Sequence, residues 1–226
     1  MRPPRWPAAA FGLSAVTYSS WLLAPWLNPE LGLTTGLASD LAASDQPWHN
    51  LFRFGDVVAG GLVVFGSARM LLGGRRDRRR WRRLGRAERA AWLFAALFGV
   101  ATICDGSLTA LPCAPSIDPG CAAPLAGGVL SAVSDPHTIT SGLAVIGGLG
   151  SIAAFWAASR DGSTDRTWAA GLTVGAVAIN LGLLVELLRT DTGVEEAVWQ
   201  RLELLNLAGW LIYAAVRSQQ PPRRSA

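Results

Sequence analysis

The chain has 226 residues, of which half are apolar and 16% are charged. Several runs of about 20 largely apolar residues predict a polytopic membrane protein and exclude an ordinary soluble domain. The net charge of +4 comes entirely from arginine, because there is no lysine, and the arginines sit beside the apolar runs. Orientation in a membrane therefore explains them, and we predict no nucleic-acid partner.

Six apolar runs are long enough to cross a bilayer as helices, and together they predict an all-α, single-domain, six-helix transmembrane bundle. The predicted spans are residues 8–27, 51–72, 90–109, 136–158, 167–188 and 199–216. Residues 217–226 are predicted to form a flexible cytoplasmic tail. A basic start before an apolar run also fits a signal peptide, but the first run lacks a small-residue cleavage site. We interpret it as a retained span.

The segment between the second and third spans predicts the orientation. Residues 73–89 hold nine arginines and two acids. Because basic loops stay on the cytoplasmic side, both termini are predicted in the cytoplasm and the protein in the plasma membrane. The segment could also attract anionic lipid headgroups, although its role in topology is a sufficient explanation.

Glycines cluster on several spans, as in Gly60, Gly61 and Gly66 of the second. Small residues let helix backbones approach closely, so these positions predict helix contacts within the bundle.

The first predicted outer segment, residues 28–50, has Leu33, Leu37 and Leu41 spaced by four. This spacing predicts either a short interfacial helix or an ordinary structured loop, and the sequence does not decide between them.

The second predicted outer segment, residues 111–134, contains Cys113 and Cys121. In an oxidising compartment a Cys113–Cys121 disulfide is the preferred interpretation. The alternative is a bond between Cys113 and Cys104, which lies at the end of the third span.

Polar side chains recur at helical spacing near the predicted outer ends of five spans. On the second span His49, Arg53 and Asp56 share one face, because they are related by i, i+4 and i+7. We infer an outward-facing polar pocket. Its candidate residues are His49, Arg53, Asp56, Asp105, His137, Ser141, Glu186, Arg201 and Glu203.

In this pocket hypothesis the two arginines contact an anion. The acids Asp56, Asp105 and Glu186, with His137, orient the ligand or exchange protons. The alternative is structural, with ion pairs between Arg53 and Asp56, or between Arg201 and Glu203 or Glu186, that only lock helices together.

The motifs of common cofactor and metal sites are missing from the sequence. His49, His137 and Asp105 are acceptable zinc ligands, but no H-x-x-x-H or H-E-x-x-H spacing supports a metal site. Ser141 lies four residues after His137 and could serve as a nucleophile, although such pairs are common by chance. We predict no cofactor and leave open whether the chain is an enzyme.

Two stretches resemble a known family. The run Ser39-Asp-Leu-Ala-Ala-Ser-Asp-Gln-Pro-Trp-His-Asn-Leu-Phe-Arg-Phe-Gly-Asp56 resembles the first outer loop and second span of a bacterial membrane family, domain of unknown function 998. Asp105, the run Leu-Pro-Cys-Ala-Pro-Ser-Ile-Asp-Pro-Gly-Cys121 and His137-Thr138 are similar too. The resemblance implies six spans and an actinobacterial source, but no reaction. It also implies signature positions at Asp40, Arg53, Asp56, Asp105, Cys113, Cys121 and His137, and so adds Asp40 to the candidate pocket.

The leading functional hypothesis is a pocket that binds, senses or processes a lipid headgroup or another cell-envelope component. The predicted partners are therefore membrane lipids. One alternative is a non-catalytic subunit that docks another membrane protein. A second is a small transporter, although no internal repeat supports it.

Overall fold

The computed structural model describes residues 5–72, 84–122, 135–159, 162–188 and 194–220. Most of the predicted basic segment, residues 73–83, and the end of the predicted tail lie outside the described residues. Within the described ranges the long elements are all helices, and there is no strand. The long helices are α1 (Trp6–Tyr18), α2 (His49–Leu72), α3 (Arg86–Ser107), α4 (Pro136–Ala158), α5 (Thr164–Leu188) and α6 (Val194–Ser218).

Four of these helices are long and apolar enough to cross a membrane, namely α2, α3, α4 and most of α5. The two others predicted as spans differ from them in length or polarity. Helix α1 has only 13 residues, and α6 carries charged and amide side chains along much of its length. The four apolar helices are compatible with a multi-pass membrane protein.

The predicted first span, residues 8–27, is not one continuous α-helix. Helix α1 ends at Tyr18, and a 3₁₀ turn (Ser20–Leu23) and a short helix (Ala24–Leu27) follow it. The Ser19 hydroxyl donates to a backbone carbonyl one turn earlier, at 2.7 Å. Hydroxyl bonds of this kind compete with the helical ladder, so the run of hydroxyl residues here ends the helix.

The connection between α1 and α2, residues 19–48, is called the α1–α2 loop. It contains 3₁₀ turns at Pro29–Leu31 and Ala38–Ala42, so the leucines spaced by four do not form one interfacial helix. Leu41 is fully buried while Leu33 is largely exposed. The loop therefore packs back onto the bundle through selected side chains.

The six helices form a closed ring. Each packs against the next along the chain, and α6 completes the ring by packing against α1. Aromatic side chains fill the middle. Phe11 of α1 contacts Trp92 of α3, with ring centroids 5.4 Å apart, and Trp92 meets Phe155 of α4 at 4.8 Å. Phe98 and Trp210 form a second edge-to-face pair at 5.1 Å, so non-neighbouring helices share one core.

One end of the ring carries the loop closed by the Cys113–Cys121 disulfide. This confirms the preferred pairing, and Cys104 is a free thiol. We call residues 113–121 the disulfide loop and this end of the bundle the disulfide end.

The opposite end is closed by a buried ion network. Arg217 of α6 is almost completely buried, with its Nη2 3.4 Å from Glu88 Oε1 and its Nε 3.8 Å from Asp165 Oδ2. Asp165 also accepts a hydrogen bond from the Tyr213 hydroxyl at 2.9 Å. The flexible tail was predicted to begin at residue 217, but α6 continues to Ser218, because this arginine lies between two acids of α3 and α5.

Helices α2 and α3 approach each other through facing glycines. A Cβ atom at Gly60 would lie 2.5 Å from the Gly99 carbonyl oxygen, and one at Gly99 would lie 2.7 Å from the Gly60 oxygen. At the adjacent Gly61, predicted as a helix contact as well, an added methyl group would meet no atom within 4 Å. Only part of the glycine cluster is therefore required for close packing.

We expect Gly60→Ala to destabilise the bundle by about 1–3 kcal/mol, because the added methyl group must push the α2 and α3 backbones apart. Gly61→Ala is the matched control, and its stability should be equal to or slightly above that of the wild type, since alanine favours the helix. Thermal unfolding followed by circular dichroism measures both. Equal losses for the two variants would contradict the close backbone contact.

Candidate functional site

A cavity of about 120 Å³ lies at the disulfide end, between the helices and the α1–α2 loop. Its polar lining comes from α1, the α1–α2 loop, α2, α3, α4 and α6. These polar residues are Tyr18, Ser20, Ser39, Asp56, Thr102, Asp105, Ser141, Gln200 and Glu203, and the apolar ones include Trp21, Phe52, Ala144, Val145, Leu204 and Leu207.

Four of the predicted pocket residues meet at this cavity. Asp56 of α2, Asp105 of α3, Ser141 of α4 and Glu203 of α6 all line it. Glu203 is only 9% exposed, although it is a carboxylate. These four side chains come from four different helices, and three of the four are acids.

Asp105 connects α3 to α4. Its Oδ1 accepts hydrogen bonds from the hydroxyls of Thr140 at 2.5 Å and Ser141 at 3.1 Å, and it lies 3.0 Å from His137 Nδ1. Among the described residues, none donates to the other oxygen, Oδ2. One side of this carboxylate is thus fixed by α4, while the other is available to the cavity.

The same contacts also show whether Ser141 is placed to act as a nucleophile. In a nucleophilic triad the imidazole lies between the serine and the acid. Here Ser141 and His137 both contact the same oxygen of Asp105. With this geometry His137 and Ser141 position Asp105, and they are not arranged as a general base and its nucleophile.

Arg201 holds the α1–α2 loop. The residue is 5% exposed, and its guanidinium donates to the carbonyl oxygens of Gly36 at 2.7 Å, Leu31 and Thr35 at 3.4 Å, and Gly32. It does not line the cavity, so it is not placed to contact an anion there.

Arg53 holds the same loop from α2. Its Nε donates to the Ala42 carbonyl at 2.6 Å, and its Nη2 donates to Ser44 Oγ at 2.8 Å and to the Leu111 carbonyl at 3.4 Å. None of the three predicted ion pairs, Arg53 with Asp56 and Arg201 with Glu203 or Glu186, forms within the described part of the chain. Both arginines instead donate hydrogen bonds to oxygen atoms of loop residues.

Asp40 joins the α1–α2 loop to the disulfide loop. It is fully buried, and its Oδ2 accepts from the backbone N–H of Ser116 at 3.1 Å. Ser116 Oγ in turn accepts from the N–H of Leu37 at 3.1 Å. Burial raises the pKa of Asp40 above its usual range, because desolvation outweighs the hydrogen bonds from Ser116 that lower it. Asp40 therefore acts beside the cavity, in the loop that forms one of its walls.

The two remaining candidates lie apart from the cavity lining. His49 Nδ1 contacts the Gln46 carbonyl oxygen at 2.8 Å at the start of α2. Glu186 of α5 is buried but is not among the lining residues. Within the described ranges no three His, Cys, Asp or Glu side chains are grouped closely enough to hold a metal ion, so His49, His137 and Asp105 do not form such a site.

Tyr18 and Gln200 are lining residues that the sequence analysis missed. Gln200 Oε1 accepts from the Ala38 N–H at 2.5 Å, and its Nε2 donates to Ser39 Oγ at 3.4 Å. Gln200 falls three residues before Glu203, so extending the α6 polar face by one turn would have found it. Tyr18 stands in an apolar run, and no local pattern marks it.

Residues 11–217 match the model of a family described as "Protein of unknown function (DUF998)". The chain belongs to this family. The resemblance inferred from the sequence is thus confirmed, whereas the six spans and the actinobacterial source stay predictions. All the cavity-lining residues fall inside the DUF998 match. No curated protein and no solved structure matches the chain.

We expect Arg201→Lys to loosen the α1–α2 loop. A lysine ammonium has three donors on a flexible stem and cannot replace the planar fork that reaches several carbonyls at once. Amide hydrogen exchange across residues 31–42 should accelerate about tenfold or more. Arg86→Lys, at an exposed arginine, is the control, and unchanged exchange in Arg201→Lys would show that the loop is held by other contacts.

Asp40→Asn tests the raised pKa of Asp40. A carboxyl whose pKa is raised in the folded state favours folding while protonated, and this contribution is lost as pH rises through the folded-state pKa. From about pH 3.9 upwards the wild type should lose thermal stability relative to Asp40→Asn. Melting temperatures over an acid-to-neutral series measure this, and the opposite slope would mean that ionised Asp40 stabilises the fold.

Proposed function

We propose that this DUF998 protein is a six-span plasma-membrane protein whose cavity faces the outside of the cell and binds a lipid headgroup or another cell-envelope component. The observation that supports this proposal is the polar cavity at the disulfide end, with acids from three helices on its walls. A polar cavity of this kind between apolar helices is a candidate binding site, because buried ionisable groups are costly unless they face protein partners, water or a ligand.

The orientation is supported by two independent features. Disulfides form and persist in oxidising compartments, so the Cys113–Cys121 bond favours an extracytoplasmic disulfide end. The nine arginines of residues 73–89 favour a cytoplasmic position for the segment between α2 and α3. Since α2 runs from the disulfide end toward that segment, both features give the same direction.

The proposal concerns binding rather than a reaction. His137 and Ser141 are both engaged with Asp105, and the two arginines are engaged with the α1–α2 loop. The groups left to meet a ligand are the carboxylates of Asp56 and Glu203, Oδ2 of Asp105 and the hydroxyls of the cavity wall.

The second candidate function is a partner subunit of a membrane complex. Helix α5 favours it, because only 11% of its apolar window is buried, against 33–44% for the other three apolar helices. A subunit of this kind should co-purify with a neighbouring membrane protein and should tolerate changes in the cavity.

Ala144→Leu tests the cavity. Ala144 lines it from α4, so leucine should fill about half or more of its volume and displace a bound molecule. Gly142→Leu is the matched control on the same helix, because a Cβ atom there would meet nothing within 4 Å. Native mass spectrometry of protein released from nanodiscs measures the retained lipid or envelope component.

We expect the wild type and Gly142→Leu to retain the same molecule and Ala144→Leu to lose at least about nine-tenths of it, which corresponds to a tenfold weaker complex. Identical retention by all three proteins would place any bound lipid elsewhere and would remove the basis of the proposal.

A further inference from the structure

The charge of the cavity indicates what it binds, provided that the proposed binding function holds. Asp56, Asp105 and Glu203 line it from three different helices, and none of its described lining residues is basic. Arg53 and Arg201, the two predicted anion contacts, donate instead to oxygen atoms of the α1–α2 loop and, for Arg53, to the Leu111 carbonyl. A phosphate or carboxylate would therefore meet three acids, and the adjacent basic side chain, His137, is already paired with Oδ1 of Asp105. This arrangement is unfavourable for an anion at short range.

The carboxylates of Asp56, Asp105 and Glu203 also have hydrogen-bond acceptor sites that no described residue uses. Asp105 uses Oδ1 for its three contacts with α4, and no described residue donates to its Oδ2. Asp56 has no hydrogen bond or ion pair with any described residue, and Glu203, which is 9% exposed, has Asn180 as its one described hydrogen-bond partner. A carboxylate offers about four acceptor sites, and polar groups in such surroundings are normally hydrogen-bonded. A hydrogen-bond donor that enters the cavity can therefore bind these free acceptor sites.

The arrangement fits a polyatomic cation better than a bare metal ion. No three carboxylate or histidine side chains of the described residues come close enough together to ligate a metal. The acids instead surround a space of about 120 Å³, somewhat smaller than the ~150 Å³ cavity that takes up a benzene molecule. That space holds a group of a few heavy atoms.

The walls between the acids are suited to the carbon part of such a group. Tyr18, Trp21 and Phe52 contribute aromatic surface, and Leu204 and Leu207 contribute aliphatic surface. Aromatic faces attract cations, and the effect grows when water is excluded. Hydroxyls of Thr102 and Ser141 add further acceptors at the cavity wall.

We propose that the cavity binds a primary ammonium group, carried either by the headgroup of an aminophospholipid or by a small free amine. The ammonium donates to Asp56, to the free oxygen of Asp105 and to Glu203, while its methylene groups pack against the aromatic wall. No bond is made or broken in this step.

The test uses the full-length protein in phosphatidylglycerol nanodiscs, which contain no amine. Ethanolamine, ethylene glycol and glycolate are titrated separately, and the melting temperature is measured. These three probes share a two-carbon frame and differ in carrying a cation, no charge or an anion. We expect stabilisation by ethanolamine alone, and binding about tenfold weaker in Asp56→Asn and in Glu203→Gln.

Glu30→Gln is the control variant, because Glu30 is an exposed acid of the α1–α2 loop that does not line the cavity. It should bind ethanolamine like the wild type. A gel-filtration profile checks the folding of each variant, and the near-isosteric Asp56→Asn keeps the test usable if Glu203→Gln does not fold.

A second arm separates the two sources of the amine. Nanodiscs of phosphatidylethanolamine should raise the melting temperature of the wild type, and this lipid should be retained on the protein, if the headgroup is the ligand. Stabilisation by ethanolamine without any effect of this lipid would indicate a free amine. Both results support an ammonium site.

Two results would overturn the inference, and they differ in whether the proposed binding function survives. If ethylene glycol, glycolate or phosphatidylglycerol binds equally well and Ala144→Leu abolishes that binding, the cavity is a binding site but not for an ammonium group. If none of the probes binds and Ala144→Leu retains the same lipids as the wild type, the proposed function fails together with the inference.

Discussion

The structure of the disulfide end depends on how the buried positive charge of Arg201 is compensated. Arg201 has no acidic partner within ion-pair distance among the described residues, and loop carbonyl oxygens take that place. A buried charge without compensation is strongly unfavourable, so the carbonyls must stay in position around the guanidinium. Because the same loop forms one wall of the cavity, the shape of the cavity follows from this charge–dipole contact.

Much of the helical architecture was predictable because it follows from local periodicity. The predicted span 136–158 coincides with α4, where Asp135 caps the first turn through a 2.9 Å bond to the Thr138 N–H. The convergence of Asp56, Asp105 and Glu203 was predictable for the same reason, since spacing by three or four residues fixes a helix face.

The roles of the arginines were not predictable, because their partners are backbone carbonyls of an irregular loop. A backbone carbonyl is present in every residue, so such partners cannot be recognised from residue types. The acids near the arginines in the sequence favoured an interpretation as ion pairs or as anion contacts instead. Arg53 is 11 residues from the carbonyl of Ala42 and 58 from that of Leu111, so only the folded chain brings them together. The end of α1 at Tyr18 was missed for a related reason, since apolar composition continues past it while the hydroxyl groups interrupt the helix.

Helix α6 is fixed at two depths, by Arg201 at the disulfide end and by Arg217 at the opposite end. About sixteen residues of helix separate them, which is about 24 Å, less than the ~30 Å thickness of a typical hydrocarbon core. In the proposed topology α6 therefore cannot tilt or slide independently to match a thicker or thinner bilayer. Any mismatch must be absorbed by the surrounding lipid or by α5, of which only 11% of the apolar window is buried. The stability of the bundle should therefore depend on bilayer thickness.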